Sequence, residues 1–303
     1  MAFESLYMIF LFLILPLILA ALQFFIKFKT KLEWVIYSFI IILFTCFIYI
    51  AAFWALVGYY LRYAIMIIVL LSVLYTYFKK ISKLPFNSKN KKRLVFVGIG
   101  VIFSLICLFL CIHALDGYSY PAEVPSIDLI FPLKNGSYYV AQGGSNAQLN
   151  MHTSYLQKYA YDIIKLNSLG LRASSLDLFS LNLDDYYIFR KKVFSPCDGK
   201  ILEAYNNAPD MVLGQMNKID YNGNYVLIQC KEAKVLMAHF LKESLLVKEN
   251  DLVKTGQELG RIGNSGNTSE PHLHINAIDD KGNPVIIKFG QNTFARNSII
   301  EEK

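Results

Sequence analysis

The sequence predicts two unlike halves: an all-α bundle of four transmembrane helices, then an all-β domain of the sandwich or barrel type. Three observations predict this. Hydrophobic residues make up 54% of the 303, and nearly all the long apolar runs lie before residue 116. Charge divides at the same place, with 11 Lys and Arg against Glu4 and Glu33 in residues 1–115, and 19 basic against 21 acidic residues thereafter. Beyond residue 132 the chain breaks into short strand-like runs separated by Gly and Asn turns. The basic balance therefore belongs to membrane-flanking loops and is not a nucleic-acid footprint.

The apolar segments 6–26 and 94–115 are each long enough to cross a hydrocarbon core. The block 34–78 is broken only by Arg62. As one helix it would be about 67 Å long, roughly twice the core thickness. It reads instead as helices 34–57 and 60–78 turning near Gly58-Tyr59-Tyr60, the second being the shortest span. Trp34 and Trp54 bracket the first of these as an interfacial belt would. The loops KFKTK (27–31) and KKISKLPFNSKNKKR (79–93) carry three and seven basic residues. The positive-inside rule places them in the cytoplasm, with the N-terminus and everything after residue 115 outside. MAFESLY has no Lys or Arg, which argues against a cleavable signal peptide. His113, near the outer end of the last span, reads as an interfacial polar residue.

Residues 116–127, with Pro121 and Pro125, read as an extended tether, and 128–303 as one domain. Strands are expected at 137–141, 159–166, 191–196, 199–205, 224–230, 234–240, 272–278 and 284–289. Two excursions interrupt them, one between Asp162 and Lys191 and one over 208–220. Cys46, Cys107 and Cys111 lie in apolar runs and read as packing residues. Cys197 and Cys230 lack a C-x-x-C spacing and are read as two free thiols, a disulfide being open to them only if their strands are neighbours.

Four of the five histidines fall in the polar half: His152, His239, His272 and His274. In GNSGNTSEPHLHI (263–275) a loop runs into His-Leu-His. On a strand both imidazoles would project to one face while Leu273 packs on the other. Asn264, Ser265, Asn267 and Thr268 read as plain residues of a flexible loop that walls a groove. In KVLMAHF (234–240), His239 ends a strand whose other members pack. A lone strand histidine is most often structural; four of them with a carboxylate upstream ask for a site.

The strand ending in Ala-His, the run VKENDLVKTGQELGRIGNSG and the His-x-His together closely resemble the lysostaphin-type zinc metallopeptidases, bacterial enzymes that cut peptide bonds in peptidoglycan. SPCDGKI resembles a further segment of that family, and the resemblance spans roughly 137–289. It implies an all-β peptidase domain, a β-sandwich or barrel-sandwich hybrid, with one Zn2+ per chain held by His152, Asp162 and His274. It also implies that His239 and His272 are non-ligand catalytic histidines and that the partners are peptidoglycan peptides; the apolar spans add the lipid bilayer as a partner. A zinc site with three N/O ligands and one open position suits hydrolysis. One departure is the ten-position separation of His152 from Asp162, longer than the commonest spacing of the family; QKYAYD resembles relatives with a longer segment. Asp177, Asp184 and Asp185 are competing carboxylates. Two rivals follow: an inert relative that only binds or regulates, and a phosphoryl carrier of the sugar phosphotransferase type. The carrier would work in the cytoplasm, whereas the loop charges place this domain outside.

Overall fold

Described here are residues 2–152, 156–174 and 182–303 of a computed structural model. The chain separates into two units, Met1–Leu115 and Asp116–Lys303.

In the first unit, helix α1 (Ala2–Ile9) runs through a π-turn at Phe10–Ile14 into α2 (Leu15–Leu22), with Pro16 in its first turn. Thr30 caps α3 (Lys31–Ala51), its hydroxyl accepting the Glu33 amide, while the Glu33 carboxylate accepts the Lys29 amide and pairs with Arg93 at 2.7 Å. α3 ends at Ala51. A turn containing Trp54–Leu56 and Gly58, at φ +117°, leads into α4 (Leu61–Thr76). α5 spans Lys91–Asp116. Ile41, Ile48, Ile65, Val69 and Val73 form the buried seam between α3 and α4. Gln23 adds a buried hydrogen bond of 2.7 Å to Ser72, the kind of polar link that holds apolar helices together.

Three helices among the described residues are long and apolar enough to cross a membrane: Lys31–Ala51, Leu61–Ile81 and Lys91–Asp116. The fourth expected span is not among them: the apolar helix of the first segment covers Leu6–Leu22 and is shorter than the other three. The segment expected to be shortest instead extends to Ile81. Trp54 is also corrected: it is 1% exposed and its indole donates to the Ile48 carbonyl. The chain turns inward as α3 ends, so the ring fills the bundle beside Phe12 rather than a headgroup layer.

The second unit contains β1 (Ser126–Leu129), β2 (Gly136–Gln142), β3 (Tyr161–Leu166), β4 (Lys192–Phe194), β5 (Gly199–Tyr205) and β6 (Asn224–Cys230). It continues with β7 (Ala233–Phe240), β8 (Leu252–Val253), β9 (Glu258–Arg261), β10 (Leu273–Ile278), β11 (Pro284–Phe289) and β12 (Ile299–Glu302). The main sheet runs β12-β2-β3-β10-β7-β6-β5-β8, with β11 beside β10 and β1 parallel to β11; β4 and β9 form a separate ribbon. Strict alternation buries one face of β6, as period-2 patterning requires. The C-terminal β12 and the short β1, β8 and β9 have too few apolar residues to be legible in isolation.

The tether reading of 116–127 is corrected. Tyr118 and Tyr120 donate to the Arg296 and Phe294 carbonyls, and the chain enters β1 at Ser126. Its prolines keep it extended but do not keep it free. The free-thiol reading is corrected too. Pairing of Lys200 with Gln229 brings the ends of β5 and β6 together, and Cys197 and Cys230 form a disulfide with Cα atoms 5.9 Å apart. Next to it, the Asp198 carboxylate accepts the Thr255 amide and hydroxyl, at 2.7 and 2.8 Å, and the Lys254 ammonium. These bonds hold its pKa down to about 2.

Two backbone turns meet where glycine is required. Gly223 and Gly266 both have positive φ, and a Cβ on Gly266 would lie 2.5 Å from the Gly223 nitrogen. That contact seats the 264–270 loop against the turn that enters β6. Gly266→Ala is expected to destabilise the domain by about 2 kcal/mol or more, a melting-temperature loss of roughly 5 °C by calorimetry on the full chain. An unchanged transition would remove this contact from the account.

Candidate active site

β3, β10 and β7 are neighbours in the middle of the sheet, and their register builds the site. His274 on β10 stands directly opposite Asp162 on β3 and Ala238 on β7. Side chains directly opposite on neighbouring strands share a face. The His274 Nδ1 lies 2.9 Å from Asp162 Oδ1. Its Nε2 faces Asn276 Oδ1 at 3.2 Å, which fixes the proton there and turns Nδ1 toward the carboxylate. His272, two residues before His274, faces the same carboxylate with its Nε2 3.6 Å away, while Leu273 is fully buried on the opposite side.

His152 arrives from the loop between β2 and β3. Its Nε2 lies 2.8 Å from Asp162 Oδ2, so the ten intervening positions do not separate the pair. The cause is Asn150, fully buried, whose amide donates to the Gly144, Lys158 and Ala160 carbonyls and whose oxygen accepts the His152 backbone N–H. One side chain thereby draws both ends of the loop together. Arg296 braces the same loop through Gln142, whose side-chain oxygen accepts the Met151 amide. Removing the Asn150 amide leaves the buried Gly144 and Ala160 carbonyls without it, each a cost of about 1–3 kcal/mol. Asn150→Ala is therefore expected to weaken metal binding by about 10–100-fold, measured by chelator competition; an unchanged affinity would mean that His152 is placed by other contacts.

The donor atoms of His152, Asp162 and His274 lie within 4.8 Å of one another. Two imidazoles and a carboxylate are a donor set that a catalytic zinc takes, with a fourth position left over. Exposure grades outward, from 3% for the His274 side chain to 13% for His272 and 23% for His152. Burial opposes ionisation of Asp162, but the charges of His152 and His272 and the bonds from His152 and His274 outweigh it, keeping the carboxyl well below its usual range. Burial also opposes protonation of His152, yet the Asp162 charge and hydrogen bond raise its pKa. For His274 burial wins and the pKa falls.

His239 sits at the end of β7 with φ +69°, a left-handed conformation that a non-glycine residue adopts only where its surroundings impose it. Its Nδ1–H donates to the Ser265 carbonyl at 2.8 Å, leaving Nε2 bare, and its ring centroid is 4.7 Å from that of His272. Burial and the neighbouring His272 and His274 hold its pKa well below the histidine norm, so it stays neutral. The His272 Nδ1–H is likewise held, by the Glu270 carbonyl at 2.8 Å.

The loop before the His-Leu-His is not the plain, flexible segment expected from its composition. Asn264, Ser265 and Thr268 are buried. Ser265 Oγ donates to the Phe240 carbonyl and accepts the Asn224 amide, and the Thr268 hydroxyl donates to the Glu270 carbonyl. Both excursions brace this loop. Arg172 donates to Glu270 at 2.8 Å, and the amides of Met211, Gly214 and Asn217 donate to Asn264, Ser269 and Gly266. Among the competing carboxylates, Asp184 pairs with Arg190, Asp185 caps a short turn, and Asp177 lies outside the described residues. Sequence reasoning missed Asn150, Asn276 and the Arg172–Glu270 pair. Only Asn276, two strand positions from His274 and hence on its face, carried a periodic signal.

A sheet presenting two imidazoles and a carboxylate around one point, with two further imidazoles beside it, has the constellation of a metal-dependent hydrolase. Residues 187–286 match the model of Peptidase family M23. The chain thus carries an M23 peptidase domain of the lysostaphin type. The matched span contains His239, His272 and His274; His152 and Asp162 precede it. The peptidoglycan DD-endopeptidase ShyA of Vibrio cholerae is 42% identical over 66 residues, which are 22% of this chain and 15% of that protein. The match therefore spans only a small part of that relative. A zinc-containing peptidase structure from Vibrio cholerae aligns at 28% identity over 32% of this chain and 26% of its own, with a TM-score of 0.26. The catalytic domain of lysostaphin from Staphylococcus simulans aligns at 22% identity over 39% of this chain and 80% of its own, with a TM-score of 0.24.

Proposed function

We propose that this chain is a membrane-anchored, zinc-dependent endopeptidase that hydrolyses peptide bonds in the stems or cross-bridges of peptidoglycan. The observation that carries this reading is the convergence of His152, Asp162 and His274, with the Nε2 atoms of His239 and His272 beside them. The family of the domain and its similarity to a peptidoglycan endopeptidase supply the substrate class.

His152, Asp162 and His274 would hold the zinc. Bound there, the ion supplies Lewis acidity toward a peptide carbonyl and toward water. The chain's own residues handle the protons. His239, neutral and with its Nε2 bare, accepts a proton from the attacking water and returns it to the leaving amine. His272, fixed through the Glu270 carbonyl, presents its Nε2 side to the oxygen that gains charge and stabilises it. The Arg172–Glu270 pair keeps that imidazole oriented.

Three helices of spanning length, the apolar N-terminal helix and the basic loops support a multi-pass anchor in the plasma membrane, with the N-terminus and the peptidase domain outside. The Cys197–Cys230 disulfide fits an oxidising, extracytoplasmic setting. Anchoring would confine hydrolysis to the wall nearest the membrane. The test is to incubate the purified full chain with cross-linked peptidoglycan fragments, with zinc and after chelation. Peptide cleavage that chelation abolishes and zinc restores is the expected result; intact fragments with a zinc-loaded protein would overturn the reading.

A further inference from the structure

Arg62 is the single charged residue in the apolar block 34–78. It lies in the first turn of α4 and is 7% exposed. A guanidinium keeps its charge at any pH a protein meets. The block contains no Asp or Glu, and Arg62 pairs with no carboxylate among the described residues. Its Nη2 donates to the Tyr59 and Tyr63 hydroxyls, and its Cζ lies 4.0, 4.7 and 4.8 Å from the ring centres of Tyr59, Tyr49 and Tyr63. Its Nε is buried with no hydrogen-bond partner. Ring faces and hydroxyls lower the cost of burying this cation but leave its charge uncompensated.

Beside the cage runs an apolar groove of about 460 Å³, lined by Cys46, Tyr49 and Ile50 of α3 and Tyr63, Met66 and Ile67 of α4. Tyr49 and Tyr63 belong to both features. A hydrocarbon groove that ends at an uncompensated cation matches a lipid with a net negative headgroup. We propose that α3 and α4 form a binding site for an anionic phospholipid, with the phosphate on Arg62 and an acyl chain in the groove. A zwitterionic lipid brings its own cation to the headgroup and leaves the guanidinium uncompensated, so the site discriminates by net charge. The inference rests on these helices spanning a membrane and is independent of the peptidase reading.

The test is native mass spectrometry of the full-length chain released from nanodiscs of equal phosphatidylglycerol and phosphatidylcholine. Wild type is expected to retain the anionic lipid about fivefold over the zwitterionic one. Arg62→Gln should bring the two to parity, and Arg62→Lys, which keeps the charge but loses the planar fork, should fall between. Met66→Trp, which fills the groove and leaves Arg62 in place, should lower retention of phosphatidylglycerol. Parity in wild type, or an unchanged ratio in Arg62→Gln, overturns the site. Displacement of the lipid by millimolar inorganic phosphate alone would make it a free-phosphate site and overturns the lipid assignment. Carbonate extraction of cell membranes tests the spanning reading separately: a chain released by carbonate defeats that premise, while a retained chain with lipid parity defeats only the site.

Discussion

His274→Ala is expected to abolish both metal binding and hydrolysis in a domain that still folds. Wild type should carry about one zinc per chain by elemental analysis, and the variant almost none. The physical case is that His274 is the most enclosed member of the donor set, at 3% side-chain exposure, with its ring fixed from behind by Asn276. Asp162 would then lose one of the three imidazoles that keep its buried carboxyl ionised, so the substitution weakens a second ligand as well. His152→Ala should have the same sign with a larger residual affinity, because His152 sits at the open edge of the cluster. Retention of full zinc in His274→Ala would place the metal elsewhere and defeat the assignment.

The second large effect separates chemistry from metal binding. His239→Ala and His272→Ala are each expected to keep zinc while losing about 10²–10⁴ in turnover, the range for a removed general acid or base. Both rings have Nδ1–H anchored to a backbone carbonyl and present Nε2 to the site, which is the posture of a proton-transfer group. His239 also occupies a strained backbone position, a cost that persists only where the surroundings enforce it. Loss of metal in either variant would show that the ring is a ligand. Unchanged turnover with metal retained would show that it is a packing residue. Because His239 is buried against the Ser265 loop, thermal denaturation of the variant must accompany the kinetics to separate unfolding from lost catalysis.

The legible part of the site consisted of features encoded within short windows. The His-x-His reads as one face of a strand because side chains alternate along any extended backbone, and Leu273 does pack on the opposite side. The end of β7 at Ala-His was visible for the same reason, although its left-handed turn at His239 was not. Asp162 was visible only as a candidate, since three other carboxylates lay within 25 residues and sequence separation carries no information on which of them reaches the histidines. The cross-strand register of β3 with β10 places Asp162 opposite His274. The loop residues Asn264, Ser265 and Thr268 were misread because polarity signals exposure on average, whereas here each polar atom is satisfied inside the domain.

The sequence by itself determined the division into an apolar, basic helical half and a strand-rich half, since both rest on composition and short-range periodicity. It also determined which residue types were available for chemistry. Only the tertiary structure decided that the longest apolar runs give three helices of spanning length and one shorter helix. It alone decided that Cys197 meets Cys230 and that residues 116–127 lie on the domain. It alone brought His152 to Asp162 across ten residues, through the side chain of Asn150. The physical reason is common to all of these: strand pairing, loop closure and burial depend on contacts between positions far apart in the chain, and such contacts leave no periodic trace in the sequence.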